Sequence, residues 1–451
     1  MSLKVGIAKV NITPPVGFPQ AGFAARTDVS QGIQDELFAK ALILDDGKLK
    51  IAIVTCDLLG LDKDVVAEIR QLIEKKTDIS KNNVMIACSH THSGPAIKDP
   101  GYLEEEIVAN FLPQWVEILP YKIAGTVKMA SNKLVEARVG LGKGSSDIGV
   151  NRRLKTKEGN ITIGPNIQGL TDPTVGLLRV DRADGSLLAV LVNYACHAVT
   201  LGPENLLFSA DYPGYMMNIL EKLWDGKTVV MFANGTAGNI NPRIRGDYTA
   251  TKRIGGILAG EVLKIVETIE TNSSISLNML RKPIYLPLKK FPSLTEAKAQ
   301  LQEKEQFISK AEKKGILNQD MSGLRGEIIR AKYRVRVIEE LRRLESEEDF
   351  KTNRLVTEIQ ALRINESAFV SLPGEIFVEI GLAIKKRSPF EQTFVIGYAN
   401  DINVSYVPTT ESYDEGGYEP EWAKVDRGTD KIIENEAVAL LEKLKKCFAF
   451  S

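Results

Sequence analysis

Three histidines occur in this chain, and two of them stand one residue apart: His90 and His92, in ACSHTHSGP. They follow the apolar run VMIACS, and the third, His197, follows another, LLAVLVNYAC. In extended chain, residues two apart point to the same side, so His90 and His92 present two imidazoles together. Ligands bind at the carboxyl ends of strands in α/β sheets. If the two runs are neighbouring strands, three imidazoles converge. Imidazole suits a borderline-soft cation such as zinc, and a catalytic zinc site keeps one position open for water. The alternative for each ring is an ordinary core or loop histidine. That every histidine leaves one of two strand ends favours the metal. The SGPA that follows His92 turns the chain sharply. Asp57, at the end of IAIVTC, is either a further carboxylate at a strand end or a cap for the next helix.

The elements that must position these residues read as follows. KIAIVTCD (50–57), NNVMIACS (82–89), SLLAVLVNYAC (186–196) and TVVMFAN (228–234) are strands, and DKDVVAEIRQLIEKK (62–76) has helical spacing. TKRIGGILAGEVLKIVETIE (251–270) is a long helix whose Gly255, Gly256 and Gly260 permit close packing. Further on, LVTEIQALRI and SAFVSLP are strands, FVEIGLAIKKR is a helix, and KIIENEAVALLEKLKK closes the chain as another. Residues 293–348 differ: they are highly charged, free of proline, and begin with the Ser293–Glu296 spacing of a capping box. They read as a helical hairpin inserted into the body, with a solvated face, a dimerisation arm or a lid as its use. The expected fold class is α/β, mixed β-sheets flanked by helices, in a single domain over 1–451 with that insertion within it.

Lys+Arg and Asp+Glu balance at 58 each, so nothing in the bulk charge seeks nucleic acid or an anionic membrane. No apolar run approaches the ~20 residues that span a bilayer. The start, MSLKVGIAKVNITPP, shows no signal-peptide pattern. Cys56, Cys88, Cys196 and Cys447 form no CxxC pair, and three of them end apolar runs, as small buried hydrophobes do. The expectation is a cytoplasmic protein, or a secreted or periplasmic one if the N-terminus is a trimmed one.

At several motifs the chain resembles the neutral/alkaline ceramidase family of zinc amidases. VGIAKVNITPPVG is similar to that family's N-terminal strand and turn. SHTHSGP matches its T-H-T-H-S-G-P motif, the most specific element. GVNRRL resembles its N-R-S-P segment, CHAVTLGPENLLFSADYPGY its histidine followed by S-G-D-N-x-G-Y, SLPGEIF its P-G-E, and SYVPTTESYDEGGYE its tyrosine loop. The resemblance implies zinc on His90, His197, Glu375 and Tyr406, with His92, Arg152 and Tyr418 positioning or polarising the scissile amide. Taken alone, Glu375 also fits the start of a helix, Tyr406 a packed loop, and Arg152 or Arg153 an ion pair with a surface acid.

Two departures matter. The family's G-D-V-S-P-N segment supplies a nucleophilic serine, and the matching stretch here is NGTAGNINPR, with Asn241 in place of the serine and Asn239 in place of the aspartate. A carboxamide cannot attack as an alkoxide does. Thr236 lies nearby without an evident base. The second departure is length: the family carries a C-terminal β-sandwich after the tyrosine loop. The expected function is therefore zinc-dependent hydrolysis of an amide or ester in a small, soluble substrate, with water activated by the metal. His92 serves as acid or base, Arg152 and Tyr418 stabilise the oxyanion, Asn241 adds a donor, and Arg243 either recognises an anionic group or forms a salt bridge. The alternatives are a metal-retaining ligand-binding protein without turnover and a true ceramidase or N-acyl amidase. A homo-oligomer formed through the hairpin is a further expectation.

Overall fold

The apolar runs that carry the histidines are buried on both faces, and this decides the architecture. In Lys50–Cys56, Ala52, Val54 and Cys56 face one apolar cluster while Ile51 and Ile53 face another. In Leu187–Tyr194, Val190, Val192 and Tyr194 face one side and Ala189 and Leu191 the other. A two-residue period with apolar residues at every position makes a strand that lies between two layers.

The computed structural model describes residues 2–26, 28–98, 105–313, 319–344 and 353–446. Its main sheet has eight strands, in the spatial order Val229–Asn234, Leu187–Tyr194, Thr174–Arg182, Val135–Ser145, Lys4–Asn11, Phe38–Asp45, Lys50–Cys56 and Val84–Cys88. The outermost pair at each end is parallel, and the pairs between are antiparallel. The mixed sheet expected from the sequence is thus present. Its two histidine-bearing segments leave opposite ends of the strand order, not adjacent strands. They meet because the edges come back towards each other: Asn234 Nδ2 donates to the Ser89 carbonyl at 3.0 Å.

Helices Lys63–Lys76 and Pro113–Ser131 cover one half of the outer face, and helices Asp211–Leu223 and Tyr248–Val266 cover the other. Against the inner face lies a second sheet, ordered Leu277–Pro287, Arg354–Ile364, Ser367–Ser371 and Gln392–Ile396. Leu362, Phe369, Phe394 and Ile396 interleave there with Leu42, Met85, Leu178 and Met231. Helices Val378–Arg387 and Thr429–Lys446 close its far face. The order of layers is helix, sheet, sheet, helix. Of the glycines in the long helix, only Gly255 packs closely, against the Tyr212 carbonyl; Gly256 and Gly260 face open space.

The charged segment forms helices Leu294–Lys313 and Gln319–Leu344, whose ion pairs Lys304–Glu327 and Lys298–Glu339 run antiparallel. Residues 314–318 and 345–352, within and beyond the expected hairpin, lie outside the described residues, as does Cys447. The capping box is formed: the Glu296 carboxylate accepts from Ser293 N at 2.8 Å, and Ser293 Oγ accepts from Glu296 N at 3.2 Å. The second helix is not merely solvated. Tyr333 stacks near Trp422, with 4.4 Å between ring centroids, and Glu340 pairs with both Lys98 (3.4 Å) and buried Lys424 (2.9 Å).

Candidate functional site

His90 sits just beyond its strand in the left-handed region, at φ 62°, with its amide bonded to the Leu58 carbonyl at 3.0 Å. His197 follows its own strand and donates its amide to the Ile240 carbonyl. The two turns are joined directly, with His92 N donating to the Ala198 carbonyl at 3.3 Å. All three imidazoles are buried or nearly so, and their ligand atoms lie within 4.8 Å of one another. The convergence read from the strand ends is therefore what the chain builds.

Two of these rings have their tautomer set by the backbone. His90 Nδ1 lies 2.7 Å from the Leu59 carbonyl, and His197 Nδ1 lies 2.6 Å from that of Ala237. A carbonyl only accepts, so both Nδ1 atoms carry hydrogen and both Nε2 atoms expose a lone pair. Those lone pairs face Glu375 Oε2, which is 3.2 Å from each Nε2 and is buried with no hydrogen-bond donor of its own. Burial, aided by the Arg152 charge, pushes the His197 pKa down to about 4, so a proton on His197 does not relieve this meeting at pH 7. Two imidazole lone pairs and a carboxylate aimed at one point are the donor set of a divalent cation. A histidine whose far nitrogen is held by a carbonyl is the usual support for such a ligand.

His92 is held differently. Its Nε2 is 3.2 Å from His90 Nε2, its Nδ1 is buried without a partner, and the edge of Phe23 meets its ring at 4.8 Å. Gly22, at φ +99°, lets the chain pass over the ring; a Cβ there would sit 2.5 Å from His92 Cγ. Burial and the two neighbouring imidazoles hold the His92 pKa well below its ordinary value.

A two-residue parallel ladder, Glu375–Ile376 with Tyr406–Val407, puts Tyr406 beside Glu375. The Tyr406 hydroxyl accepts from Arg152 Nη2 at 3.1 Å. Arg152 also approaches His197 Nε2 (3.2 Å) and donates to Asn241 Oδ1 (3.3 Å), and its guanidinium lies 5.5 Å from the Tyr406 ring centre and 5.8 Å from that of Tyr418. Glu419 holds it there: Oε1 accepts from Arg152 Nε at 2.7 Å, while Oε2 accepts from Arg153 Nη1 at 2.8 Å. Burial alone raises the Glu419 pKa, but the Arg152 and Arg153 charges outweigh it and keep the group ionised. Both arginines thus pair with a buried acid, and Arg153 pairs with a surface acid as well, Glu415, 3.1 Å away.

The structure brings His90, His92, Arg152, His197, Asn241, Glu375, Tyr406 and Tyr418 together, and separates others from them. Asp57 neither joins the site nor caps a helix; its carboxylate accepts from Phe38 N at 2.9 Å, and burial lifts its pKa to about 6. Asn239 caps the helix Val378–Arg387 by accepting from Val378 N and donating to Glu379. Thr236 Oγ1 lies against Gly381 of that helix. Arg243 is half exposed beside Asp147, 3.4 Å away, so it takes the salt-bridge alternative. Residues that the sequence did not single out include Glu419, Tyr398, whose ring stacks on His90 at 4.0 Å, and Arg245. A pair of adjacent arginines was the available signal for Glu419. Tyr398 and Arg245 had none.

A cavity of about 290 Å³ opens over His92, Arg152, Asn241 and Tyr418, and the helix Gln319–Leu344 contributes Gly326, Ile329 and Arg330 to its wall. That is close to the lower end of the ~300–1,000 Å³ common for ligand sites.

Residues 3–255 match the profile of the neutral/alkaline non-lysosomal ceramidase N-terminal region. The chain is 30% identical over 259 residues to the neutral ceramidase of Drosophila melanogaster, covering 54% of this chain and 36% of that protein. It is 24% identical over 249 residues to the neutral ceramidase of Pseudomonas aeruginosa, covering 53% and 37%. The aligned part therefore spans about a third of these relatives. The crystal structure of the Pseudomonas aeruginosa enzyme superimposes with a TM-score of 0.75 at 20% identity, over 98% of this chain and 75% of that one. These matches overturn the cytoplasmic expectation, because neutral ceramidases are secreted or membrane-associated. The cysteine argument fails for a physical reason: Cys56, Cys88 and Cys196 are buried, and burial raises their thiol pKa values, so they resist oxidation in any compartment. Among the described residues no helix is long and apolar enough to cross a membrane.

Proposed function

The chain belongs to the neutral/alkaline ceramidase family, and from that we propose that it hydrolyses the amide (or ester) bond of a small substrate with the help of one zinc ion. The observation that carries this reading is the meeting of His90 Nε2 and His197 Nε2 at Glu375 Oε2, a buried oxygen without a donor among the described residues. His90, His197, Glu375 and Tyr406 would hold the ion, and their nitrogen and oxygen donors suit zinc. The bound ion supplies Lewis acidity and makes water more acidic.

The remaining steps belong to side chains. Arg152, fixed by Glu419, offers Nη1 and Nη2 to the substrate carbonyl oxygen as it gains charge, and Tyr418 is placed to share it. His92, neutral at pH 7, accepts a proton from the attacking water and returns it to the leaving amine. Asn241 holds Arg152 and cannot form an acyl-enzyme. In this reading the helix Gln319–Leu344 of the inserted segment acts as a lid, supported by the wall that Ile329 and Arg330 contribute. A second reading, ligand binding without turnover, rests on Asn241 standing where the family carries its serine.

Elemental analysis tests the metal, with about one zinc per chain expected. Glu375→Gln should lose most of it, and His92→Ala should retain it while turnover of short N-acyl amines falls by roughly 10²–10⁴. Protein that neither contains nor takes up zinc would sink the proposal. A loaded protein inert towards every amide and ester would leave the second reading.

A further inference from the structure

Three guanidinium groups line the cavity over the candidate site, those of Arg152, Arg245 and Arg330. Two are compensated. Arg152 pairs with Glu419 at 2.7 Å, and Arg330 Nε lies 3.0 Å from Glu421 Oε1. Arg245 differs. Its Nε donates to the Val199 carbonyl at 2.8 Å, and among the described residues no carboxylate stands within 4.0 Å of it.

That arrangement is a built one. Arg245 lies between the short strand Ile240–Pro242 and the helix Tyr248–Val266. The next residue is pinned, with Gly246 N donating to the Thr200 carbonyl at 2.8 Å. The Nε bond to Val199 then fixes the plane of the guanidinium and leaves its Nη1 and Nη2 edge without an acceptor among the described residues. Arg245 is exposed at the cavity wall; burial of part of the side chain and the like charge of Arg152 disfavour its charged form, which the more distant Asp211 and Glu204 offset only in part. A bidentate donor edge of this kind matches a carboxylate.

We propose that Arg245 is the specificity residue of this cavity, and that the substrate is an amide carrying a carboxylate, of the N-acyl amino acid class. The proposal rests on the hydrolase reading for its reaction and on the cavity alone for its recognition. A single positive charge with no carboxylate in contact among the described residues calls for a monoanion; a phosphate dianion would need a second. The small volume admits a short acyl chain beside the carboxylate.

Binding is tested on the purified protein by calorimetry with N-(butylsulfonyl)leucine, which has no scissile amide. Its partners in the test are N-(3-methylbutyl)butanesulfonamide, which lacks the carboxylate, and N-(butylsulfonyl)phosphoethanolamine. The parent should bind the carboxylate at least about 30-fold more tightly than the uncharged compound, as expected for a bidentate charge-assisted pair. In Arg245→Met that ratio should fall to within about 3-fold. In Arg243→Met, which removes the same charge outside the cavity, it should persist. Equal binding by the parent, a preference that survives Arg245→Met, or tighter binding of the phosphate compound overturns the proposal. Hydrolysis of N-butanoyl-leucine is read separately: its absence with the binding preference intact refutes the hydrolase reading and leaves Arg245 as an anion-recognition residue.

Discussion

Replacing Glu419 by Gln should be among the most damaging conservative changes in the chain, and the size follows from the geometry. The Glu419 side chain is 1% exposed, and those of Arg152 and Arg153 are 6% and 7% exposed. Its two oxygens serve one guanidinium each, so the change leaves two buried cations with a neutral partner. Removing one member of a buried ion pair costs about 3–5 kcal/mol, most of it the desolvation of the charge left behind. Glu415 provides an internal reference. It also pairs with Arg153, at 3.1 Å, but is 54% exposed, so Glu415→Gln should cost less than about 1 kcal/mol. Equilibrium urea unfolding followed by tryptophan fluorescence measures both. Adding Arg153→Met to Glu419→Gln should recover part of the loss, since one stranded charge is then gone. The sign with pH is fixed as well. Glu419 has a folded pKa below its unfolded value, so its contribution is present above the unfolded pKa and is lost as pH falls through the folded one. Glu419→Gln should therefore flatten the acid limb of the stability curve. Equal costs for Glu419→Gln and Glu415→Gln would refute the argument from burial.

Two further outcomes are expected. Burial opposes ionisation of Glu340, but Lys424 and Lys98 lower its pKa to about 2, against an unfolded value of ~4.3. The attachment it provides is complete above about pH 4.3 and weakens towards pH 2, with an upper limit of ~3 kcal/mol; Trp422 emission should report the release of Tyr333 over that range, and Glu340→Gln should abolish the pH dependence. At the site, Asn241→Ser should permit a burst with an activated ester, whereas the parent shows none and yields no acylated Ser or Thr by mass spectrometry after a rapid quench. An adduct on the parent would end the water mechanism.

The histidine-bearing strand ends were legible because strands buried on both faces are continuous apolar runs, with few other readings. What stayed hidden is the path by which distant segments meet. Nothing local says that Val84–Cys88 and Val229–Asn234 are opposite edges of one sheet and still neighbours through Asn234 and Ser89. The ladder that sets Glu375 beside Tyr406 is two residues long, too short for a periodic signal, and only the resemblance to a family pointed to it. Arg243 and Arg245 are two apart in one loop, where charge alone cannot tell the residue facing solvent from the one facing the cavity. Asn239 read as a displaced catalytic residue because its role, a side-chain cap on a helix some 140 residues later, depends on tertiary contact.

The buried clamp of Arg152 and Arg153 on Glu419 has a consequence for the order in which the molecule is made. His90, both arginines and His197 leave the ribosome early; Glu375, Tyr406 and Glu419 come late. At ~5–20 residues per second, the nascent chain waits on the order of 10–40 s between His197 and Glu419. During that interval the N-terminal half carries its imidazoles and two guanidiniums without the carboxylates that neutralise them. A chain cut short in translation or by a protease keeps the most recognisable motif, SHTHSGP, yet lacks the acids that make those residues a site. Completion of the chain is thereby a checkpoint: the proposed site is assembled only after Glu419 has been delivered.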